Sequence, residues 1–359
     1  MKINAIRINN FRNVPHLDVT FDKGYHVIYG PNMSGKTNTL NAIHWAITGK
    51  DMEGHNDDRV NIPTTLDPTI SNDISVEIEF DSFKLKRVLG ITNGKPSQLI
   101  YINNAKAETL KQGQAIIYNK LNLTDIILTQ PKGFEIASFL MNPLYFKTVP
   151  PSTLRKFFYR MAGVDLNDVY SKQRKTVAAA IDKYKLDDAD PYILLDSLAK
   201  PKKDCKKVLD AIKVIKPMLK NPDELSEIEK AANTEAAVID SDETLLGIYA
   251  QNVAALVEKF YSKQMDIHIC LREEGATEGV VKDVCYPILP NSNLPFDRGS
   301  YAERTFVGVR FIATFVDLFN ISPLPILIDN MESLDSNTTK LLNELAAKRD
   351  IQYIGAFVE

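Results

Sequence analysis

The start of the chain contains three segments whose pattern of apolar residues predicts β-strands. Apolar and polar residues alternate over 2–9 and 17–21, which is typical of strands with one buried face. Residues 25–29 form a short apolar run that predicts a third, buried strand. Apolar residues then recur at helical spacing over 40–47, and this pattern predicts a helix that ends at Gly49.

Between the third strand and this helix, the chain matches the phosphate-loop pattern G-x-x-x-x-G-K-[ST]. The matching residues are Gly30, Pro31, Asn32, Met33, Ser34, Gly35, Lys36 and Thr37. Backbone N–H groups of such a loop point inward and attract phosphate, as does the positive end of the following helix. Lys36 is placed to reach the β- and γ-phosphates, and the Thr37 hydroxyl is a suitable ligand for Mg²⁺. The loop therefore predicts a site for a nucleoside triphosphate.

Further strands are predicted after this helix. Residues 74–80 and 83–89 are joined by a short turn, and another turn precedes 99–102, so an antiparallel meander is expected. A helix is expected over 152–162, ended by Gly163.

The segment 165–263 differs from its surroundings, because it is poor in glycine and rich in charged residues. Prolines at 191, 201, 217 and 222 predict short helices and exclude a long uninterrupted coiled coil. Eight lysines and two aspartates lie within 200–220, whereas 223–243 has eight acids and one lysine. The basic stretch is either a surface that follows a phosphate backbone or, as we favour, a helix that packs beside the acidic stretch.

Apolar residues later in this segment alternate at spacings of three and four, which predicts a heptad-like seam in an intramolecular core. They are Leu246, Tyr249, Val253, Leu256 and Phe260. Strand-like alternation returns over 265–271 and 280–288.

The C-terminal part contains a second group of residues suited to nucleotide chemistry. Ser300 and Glu303 open an apolar helix as a capping box, and the N–H groups at that helix start are alternatively an anion site. Residues 324–328 predict a buried strand that ends in Asp329. A strand that delivers a carboxylate at its end is the second acidic element that a Mg²⁺–nucleotide site requires.

Composition limits the class of protein. The 359 residues contain 44% hydrophobic residues and carry a formal net charge of −3, so there is no overall basic footprint for nucleic acid. The three cysteines lack a C-x-x-C pair, which favours a reduced cytoplasm over a disulfide framework or cysteine zinc site. No apolar segment suits an export signal or a membrane span, so no membrane contact is expected.

The residues at both ends of the chain resemble the SMC, RecF and SbcC group of ABC-class ATPases, and the run 329–333 is similar to small phage-encoded relatives. This resemblance rests on residues 8–13 with the phosphate loop and Asn38, and on the segment around Asp329. It implies an α/β, ABC-ATPase-type P-loop head made of N- and C-terminal lobes, 1–164 and 264–359. A helical insertion, 165–263, replaces the long coiled coil.

The resemblance also assigns roles to residues. Gln130 becomes the Q-loop glutamine and a Mg²⁺ ligand beside Thr37, Asp329 becomes the Walker B acid, and residues 333–335 become the D-loop. Arg12 and Asn38 would contact the nucleotide, and residues 300–303 would be a degenerate signature motif that binds the nucleotide of a second subunit.

The chain departs from the family pattern in four respects. Ala302 replaces the usual signature glycine, the insertion has no hook cysteines, and the last strand ends without a switch histidine. Most importantly, Asn330 occupies the position of the usual carboxylate base. Glu332 is the nearest downstream carboxylate, and it is either the replacement base or a support for the D-loop.

These features predict a slow ATPase that binds ATP and Mg²⁺, forms an ATP-dependent homodimer and acts on DNA in recombination, repair or replication. The cytoplasm of a bacterium or phage-infected cell is the expected location, and a nuclease partner is left open. The main alternative is a non-hydrolysing, ATP-gated DNA clamp or scaffold. The ATPase of a membrane transporter is a weaker third alternative.

Overall fold

The computed structural model describes residues 1–21, 24–55, 58–62, 74–92, 95–129, 131–186, 189–218, 222–274 and 281–358. The chain divides into two compact units, one formed by Met1–Leu154 with Tyr286–Glu359 and the other by Arg155–Cys285. The predicted lobe boundaries at 164 and 263 stay a prediction.

The secondary structure includes strands and helices throughout the described ranges. The strands are β1 (Ile3–Phe11), β2 (Val14–Thr20), β3 (Tyr25–Gly30), β4 (Ile74–Phe80), β5 (Lys84–Thr92), β6 (Lys95–Ile102), β7 (Ala105–Lys106), β8 (His268–Cys270), β9 (Glu273–Glu274), β10 (Val281–Lys282), β11 (Tyr286–Ile288), β12 (Ile326–Ile328) and β13 (Tyr353–Val358). The helices are α1 (Lys36–Thr48), α2 (Leu110–Lys120), α3 (Thr124–Thr129), α4 (Ile136–Met141), α5 (Pro151–Met161), α6 (Leu166–Val169), α7 (Arg174–Tyr184), α8 (Pro191–Ile215), α9 (Ser226–Met265), α10 (Tyr301–Phe319) and α11 (Ser336–Arg349).

The first unit contains an antiparallel sheet of strand order β2-β1-β4-β5-β6-β7. The predicted meander is confirmed, because β4, β5, β6 and β7 pair in succession and antiparallel. The sheet presents alternate apolar residues to the core, including Ile6, Ile8 and Ile78.

A parallel sheet of order β12-β13-β3 joins the two ends of the chain within this unit. The helix α1 follows β3 and contacts strands of both sheets. It is buried over most of its surface, with Leu40, Ile43 and Trp45 fully enclosed. A helix that is covered on all sides fixes the loop that precedes it.

The position of β3 corrects one prediction. Residues 25–29 form a strand as expected, but none of them is buried, and Tyr25 and Tyr29 are exposed. The apolar run predicted a buried strand, whereas among the described residues β3 is the last strand of its sheet. Hydrophobic content alone does not distinguish an edge strand from a central one.

The second unit is mainly helical, and its helices are longer than predicted. The helix α8 contains Pro201 in its interior, and α9 extends over 40 residues, about 60 Å. The expectation of short helices is therefore wrong. Proline is absent between 223 and 286, so nothing in the sequence of α9 interrupts the hydrogen-bond ladder.

The helices α8 and α9 pack against each other in antiparallel directions. Lys202 forms ion pairs with Asp240 and Glu243, and Lys216 pairs with Glu229. These pairs confirm the preferred interpretation, in which the basic stretch packs beside the acidic one.

The apolar seam of α9 is only partly as predicted. Leu246, Tyr249 and Val253 are buried, but Leu256 is exposed and Phe260 is half-buried. The seam continues instead through Val257, Tyr261 and Met265. The buried positions of this seam, from Leu246 to Met265, are on average about 3.8 residues apart, which is longer than the 3.5-residue spacing of a heptad.

The strands predicted near the end of the second unit are shorter than expected. Met265 belongs to α9, and only His268–Cys270 is extended in the first segment. In the second segment, β10 and β11 are separate strands, and residue 280 lies outside the described residues. Among the described helices, none has the length and apolar character needed to cross a bilayer.

Candidate functional site

The phosphate loop connects β3 to α1, and the local structure explains why glycine occupies positions 30 and 35. Gly35 caps α1 with a φ of 94°, a left-handed conformation that favours glycine. A Cβ at Gly35 would lie 2.9 Å from Val14 Cγ2, and a Cβ at Gly30 would lie 2.8 Å from Ser34 Oγ. A side chain at either position would therefore require the Val14 or Ser34 side chain to move.

Lys36 is buried, and its ammonium group lies inside the loop. Its Nζ donates to the carbonyl oxygens of Gly30 at 2.7 Å and Pro31 at 2.6 Å, and to Ser34 Oγ at 3.5 Å. This arrangement holds a positive charge against the backbone of the loop. Carbonyl oxygens carry only partial charge, so the ammonium group retains a strong attraction for an anion.

Thr37 and Asp329 meet although 292 residues separate them in the sequence. The Thr37 hydroxyl lies 3.0 Å from each carboxylate oxygen of Asp329. Asp329 follows the fully buried strand β12, which places its carboxylate at the strand end as predicted. Burial raises the pKa of Asp329, and the hydrogen bond from Thr37 opposes this shift. Burial thus disfavours the charged form of the Asp329 carboxylate. Together, this carboxylate and the Thr37 hydroxyl provide oxygen ligands suited to Mg²⁺.

A cavity of about 140 Å³ brings the two parts of the site together. The predicted residues that line it are Asn32, Gly35, Lys36, Thr37, Asn38, Asp329, Asn330 and Glu332. Gly30 and Ser34 lie behind them and contact Lys36. The cavity therefore combines a cation, a hydroxyl and carboxylates at the end of the parallel sheet.

Asn330 and Glu332 reach this cavity by different local geometries. Asn330 has a φ of 49°, and Glu332 lies in the short 3₁₀ helix Met331–Ser333 that follows it. Glu332 Oε2 accepts a hydrogen bond from the backbone N–H of Val358 at 3.2 Å. This contact positions the Glu332 carboxylate in the cavity and also ties it to the end of β13. The catalytic roles of Asn330 and Glu332 stay predictions.

Arg12 belongs to a polar network beside the phosphate loop. Its guanidinium donates to Asn61 at 3.0 Å, to Asn38 at 3.4 Å and to Asp51 at 3.1 Å. Burial raises the pKa of Asp51, but hydrogen bonds from His55 and Arg12 outweigh it, and the pKa lies below its ordinary value. Asp51 therefore remains ionised and holds Arg12 in place.

A second cavity of about 760 Å³ adjoins this network. Arg12, Asp51 and His55 line it, and it shares Asn13 and Asn38 with the smaller cavity. Sequence reasoning identified Arg12 and Asn38 but missed Asn13, Asp51 and His55. The sequence signal that could have identified Asp51 is its position directly after the helix α1, where the chain turns back.

The start of α10 contains the predicted capping box. Ser300 Oγ accepts from the Glu303 backbone N–H, and Glu303 accepts from the Ser300 backbone, so the capping-box prediction is confirmed. The neighbouring Tyr301 hydroxyl donates to the backbone carbonyl of Asp329. Ser300 and Ala302 are not among the described residues that line the phosphate cavity of their own chain.

Two further site residues were predicted from the sequence, Gln130 and Asp335. Gln130 lies outside the described residues. In the D-loop, Asp335 caps α11 by accepting a hydrogen bond from the Thr338 backbone N–H at 2.6 Å. This cap fixes the direction in which the chain leaves the site.

Comparison with known proteins places the chain in a family. A family model described as an AAA domain matches residues 5–240. Because this match covers more than half of the sequence, the chain belongs to the AAA domain family. The resemblance inferred from the sequence, to an SMC/RecF-type ABC ATPase head with an α/β fold, is confirmed.

Individual relatives match shorter parts of the chain. The DNA replication and repair protein RecF of Agathobacter rectalis is 44% identical over 57 residues, which cover 16% of this chain and 16% of that protein. RecF of Carboxydothermus hydrogenoformans is 23% identical over 159 residues, which cover 42% of this chain and 44% of that protein. The matches thus span less than half the length of these relatives.

One similar solved structure is the Smc head domain of Pyrococcus furiosus, with an extended coiled coil and bound to the C-terminal domain of ScpA. It is 13% identical, the alignment covers 99% of this chain and 89% of that chain, and the TM-score is 0.47.

Proposed function

We propose that the chain binds ATP with Mg²⁺ at the phosphate loop and hydrolyses it slowly. The observation that carries this proposal is the contact between the Thr37 hydroxyl and the Asp329 carboxylate, at 3.0 Å to each oxygen. It joins the residue that ends the phosphate loop to an acid from the other end of the chain. Both groups are oxygen ligands of the kind that Mg²⁺ prefers.

The residues divide the binding task between phosphate and nucleoside. Lys36 and the loop N–H groups would bind the phosphates, and Thr37 and Asp329 would hold Mg²⁺, with Gln130 added by family resemblance. Bound Mg²⁺ would neutralise charge on the phosphate oxygens. The 140 Å³ cavity suits the phosphates alone, so the larger cavity beside Arg12 and Asn38 is the proposed place for the nucleoside.

We further propose that ATP binding joins two copies head to tail. Ser300 and Ala302 are not among the described residues that line the phosphate cavity of their own chain, and we propose that this helix start binds the nucleotide of a second subunit. ATP supplies a γ-phosphate for this contact and ADP does not, so ATP would favour the dimer.

The proposed role of the dimer is to act on DNA in recombination, repair or replication, in the cytoplasm of a bacterium or phage-infected cell. The similarity to RecF proteins, which are described as DNA replication and repair proteins, supports this proposal. A nuclease partner is left open. The alternative of an ATP-gated DNA clamp or scaffold is favoured by one observation, the neutral Asn330 in the cavity.

Calorimetry with Mg-ATP tests the binding site directly. Lys36→Ala removes the buried ammonium group, so ATP affinity is expected to fall at least about tenfold, the low end for a hydrogen bond to a charged group. Lys106→Ala is the matched control, because Lys106 lies exposed on β7. Unchanged ATP affinity in Lys36→Ala, with a normal circular dichroism spectrum, would contradict the site assignment.

A further inference from the structure

The first residue of α10, Tyr301, contacts the segment that carries Asp329. The Tyr301 hydroxyl donates a hydrogen bond to the backbone carbonyl of Asp329, 28 residues away in the sequence. Tyr301 is half-buried, and it is not among the described residues that line the 140 Å³ phosphate cavity. Its contact is therefore with the backbone of a candidate Mg²⁺ ligand and not with the space in which the ligand would bind.

The carbonyl that accepts this hydrogen bond belongs to the peptide bond between Asp329 and Asn330. The N–H group of the same peptide bond, contributed by Asn330, donates to the Asp329 carboxylate. The peptide bond is trans, so its C=O and N–H groups point in opposite directions. The peptide is thus held on both sides, at its oxygen by the Tyr301 hydroxyl and at its nitrogen by the carboxylate.

The orientation of this peptide determines where the Asp329 carboxylate is held. Asn330 has a φ of 49°, in the left-handed region that non-glycine residues adopt infrequently, so the turn benefits from a contact that fixes it. The carboxylate has a second donor in the Thr37 hydroxyl, 3.0 Å from each oxygen. Thr37 therefore acts on the carboxylate directly, whereas Tyr301 acts on it through the backbone.

Tyr301 is itself held in place by the helix that it begins. Ser300 and Glu303 close the first turn of α10 as a capping box. Further along the helix, Val307 and Phe311 are fully buried, which anchors α10 in the core of the first unit. A tyrosine hydroxyl is protonated at neutral pH and can donate. The helix thus presents a donor in a fixed position to the Asp329 carbonyl.

We propose that Tyr301 is a positioning residue for the Asp329 carboxylate, and through this carboxylate for Mg²⁺. Its hydroxyl fixes the peptide bond whose N–H holds the carboxylate beside Thr37. This inference rests on the Mg²⁺ site of the proposed function, but it requires no second subunit. The alternative is a structural contact that only ties α10 to the end of β12. The Mg²⁺ dependence of ATP binding distinguishes the two, because a structural tie would not act on the metal alone.

The test is calorimetric measurement of ATP affinity at a series of Mg²⁺ concentrations, from none to saturation. Tyr301→Phe removes the hydroxyl and keeps the ring. The Mg²⁺ concentration that gives half of the full increase in ATP affinity should rise roughly two- to tenfold, the range for loss of one hydrogen bond. ATP affinity without Mg²⁺ should stay unchanged, because the phosphates would then be bound by Lys36 and the loop N–H groups and not through Asp329.

Tyr249→Phe is the matched control. The Tyr249 hydroxyl also donates to a backbone carbonyl, that of Ala189 at 2.8 Å, but both residues belong to the second unit. This variant should leave ATP affinity unchanged with and without Mg²⁺. Circular dichroism and urea unfolding compare the fold and stability of the two variants with those of the wild type.

The outcomes separate this inference from the proposed function. If the wild type binds ATP in a Mg²⁺-dependent way and Tyr301→Phe has the same Mg²⁺ dependence, the positioning role alone is wrong. An equal loss of ATP affinity with and without Mg²⁺ would also overturn it, because the hydroxyl would then support the site as a whole. A wild-type ATP affinity that does not depend on Mg²⁺ would contradict the proposed Mg²⁺ site and this inference together.

Discussion

At the scale of single residues, Asp329 combines a proposed binding role with a cost to stability. Burial raises its pKa, so the folded chain favours the protonated form and the ionised carboxylate lowers stability at neutral pH. Such a cost is common where a carboxylate is kept for a ligand. The Thr37 hydroxyl offsets only part of it.

We expect Asp329→Asn to weaken Mg²⁺-dependent ATP binding and to raise the unfolding temperature of the nucleotide-free chain slightly. The stability difference should be present at pH 7, should shrink as the pH falls below the raised pKa of Asp329 in the folded chain, and should vanish near the ordinary pKa of an aspartate, because protonated Asp329 is also neutral. Thermal unfolding between pH 4 and 8 measures this dependence. An Asn variant that is less stable than the wild type at pH 7 would contradict the prediction.

Glu332 has two possible roles, catalytic base or structural support, and measurements of ATP turnover can distinguish them. Neutral Asn330 can orient a water molecule but cannot readily accept its proton, whereas Glu332 lines the same cavity with a carboxylate. Its hydrogen bond from Val358 N–H is equally suited to supporting the end of β13.

If Glu332 is the base, steady-state ATP turnover should be slow and should fall at least about tenfold in Glu332→Gln. Asn330→Glu should increase turnover. Glu344→Gln serves as the control, because Glu344 is an exposed carboxylate on α11. Turnover unaffected by Glu332→Gln would leave Glu332 only a support, and no turnover in any version would favour the ATP-gated clamp.

At the scale of elements, two glycines inside helices have opposite environments. Gly247 lies in the middle of α9, and a Cβ there would meet nothing within 4 Å. Gly308 lies in α10, where a Cβ would be 1.9 Å from the backbone oxygen of Pro143. Helix propensity favours alanine at both positions, but packing allows it at only one.

Gly247→Ala should therefore raise the free energy of unfolding by about 0.5–1 kcal/mol, since it reduces the backbone entropy lost on folding. Gly308→Ala should lower it by roughly 1–3 kcal/mol, because the backbone around Pro143 must move. Urea unfolding followed by circular dichroism compares the two variants under identical conditions. Equal changes in both would show that propensity, not packing, determines their stability.

The elements that sequence reasoning predicted well are those fixed by local signals. The capping residue Ser300, the turn between β4 and β5 and the glycines of the phosphate loop depend on residues a few positions away. Two features depend instead on which elements pack together. These are the exposure of β3 and the continuation of the buried α9 seam through Val257 rather than Leu256. Local periodicity does not contain that information.

The candidate site shows the same division. The phosphate loop and Asp329 each follow from a local pattern, and the fold brings them together. The Arg12 network could not be predicted, because Asp51 and Asn61 are 39 and 49 residues away and reach Arg12 only through the tertiary structure.

At the scale of the whole molecule, net charge favours a nucleic-acid surface made by assembly. The formal net charge of −3 gives a single chain little attraction for DNA. Several lysines of α8 also form ion pairs with acids, as Lys202 and Lys207 show. A composite surface formed when two heads close is therefore the better candidate for salt-sensitive DNA binding.

Ser300→Arg tests whether ATP closes such a pair. The capping box makes Ser300 a helix cap in the free chain, and the proposed second role requires the same helix start to face the γ-phosphate of another subunit. A bulky arginine at this exposed position should leave ATP binding to each chain intact but abolish the ATP-dependent increase in mass and the DNA binding that follows it. Light scattering with ATP or ADP, followed by duplex and single-stranded DNA, measures both steps. An ATP-dependent dimer that persists despite Ser300→Arg would reduce Ser300 to a helix cap.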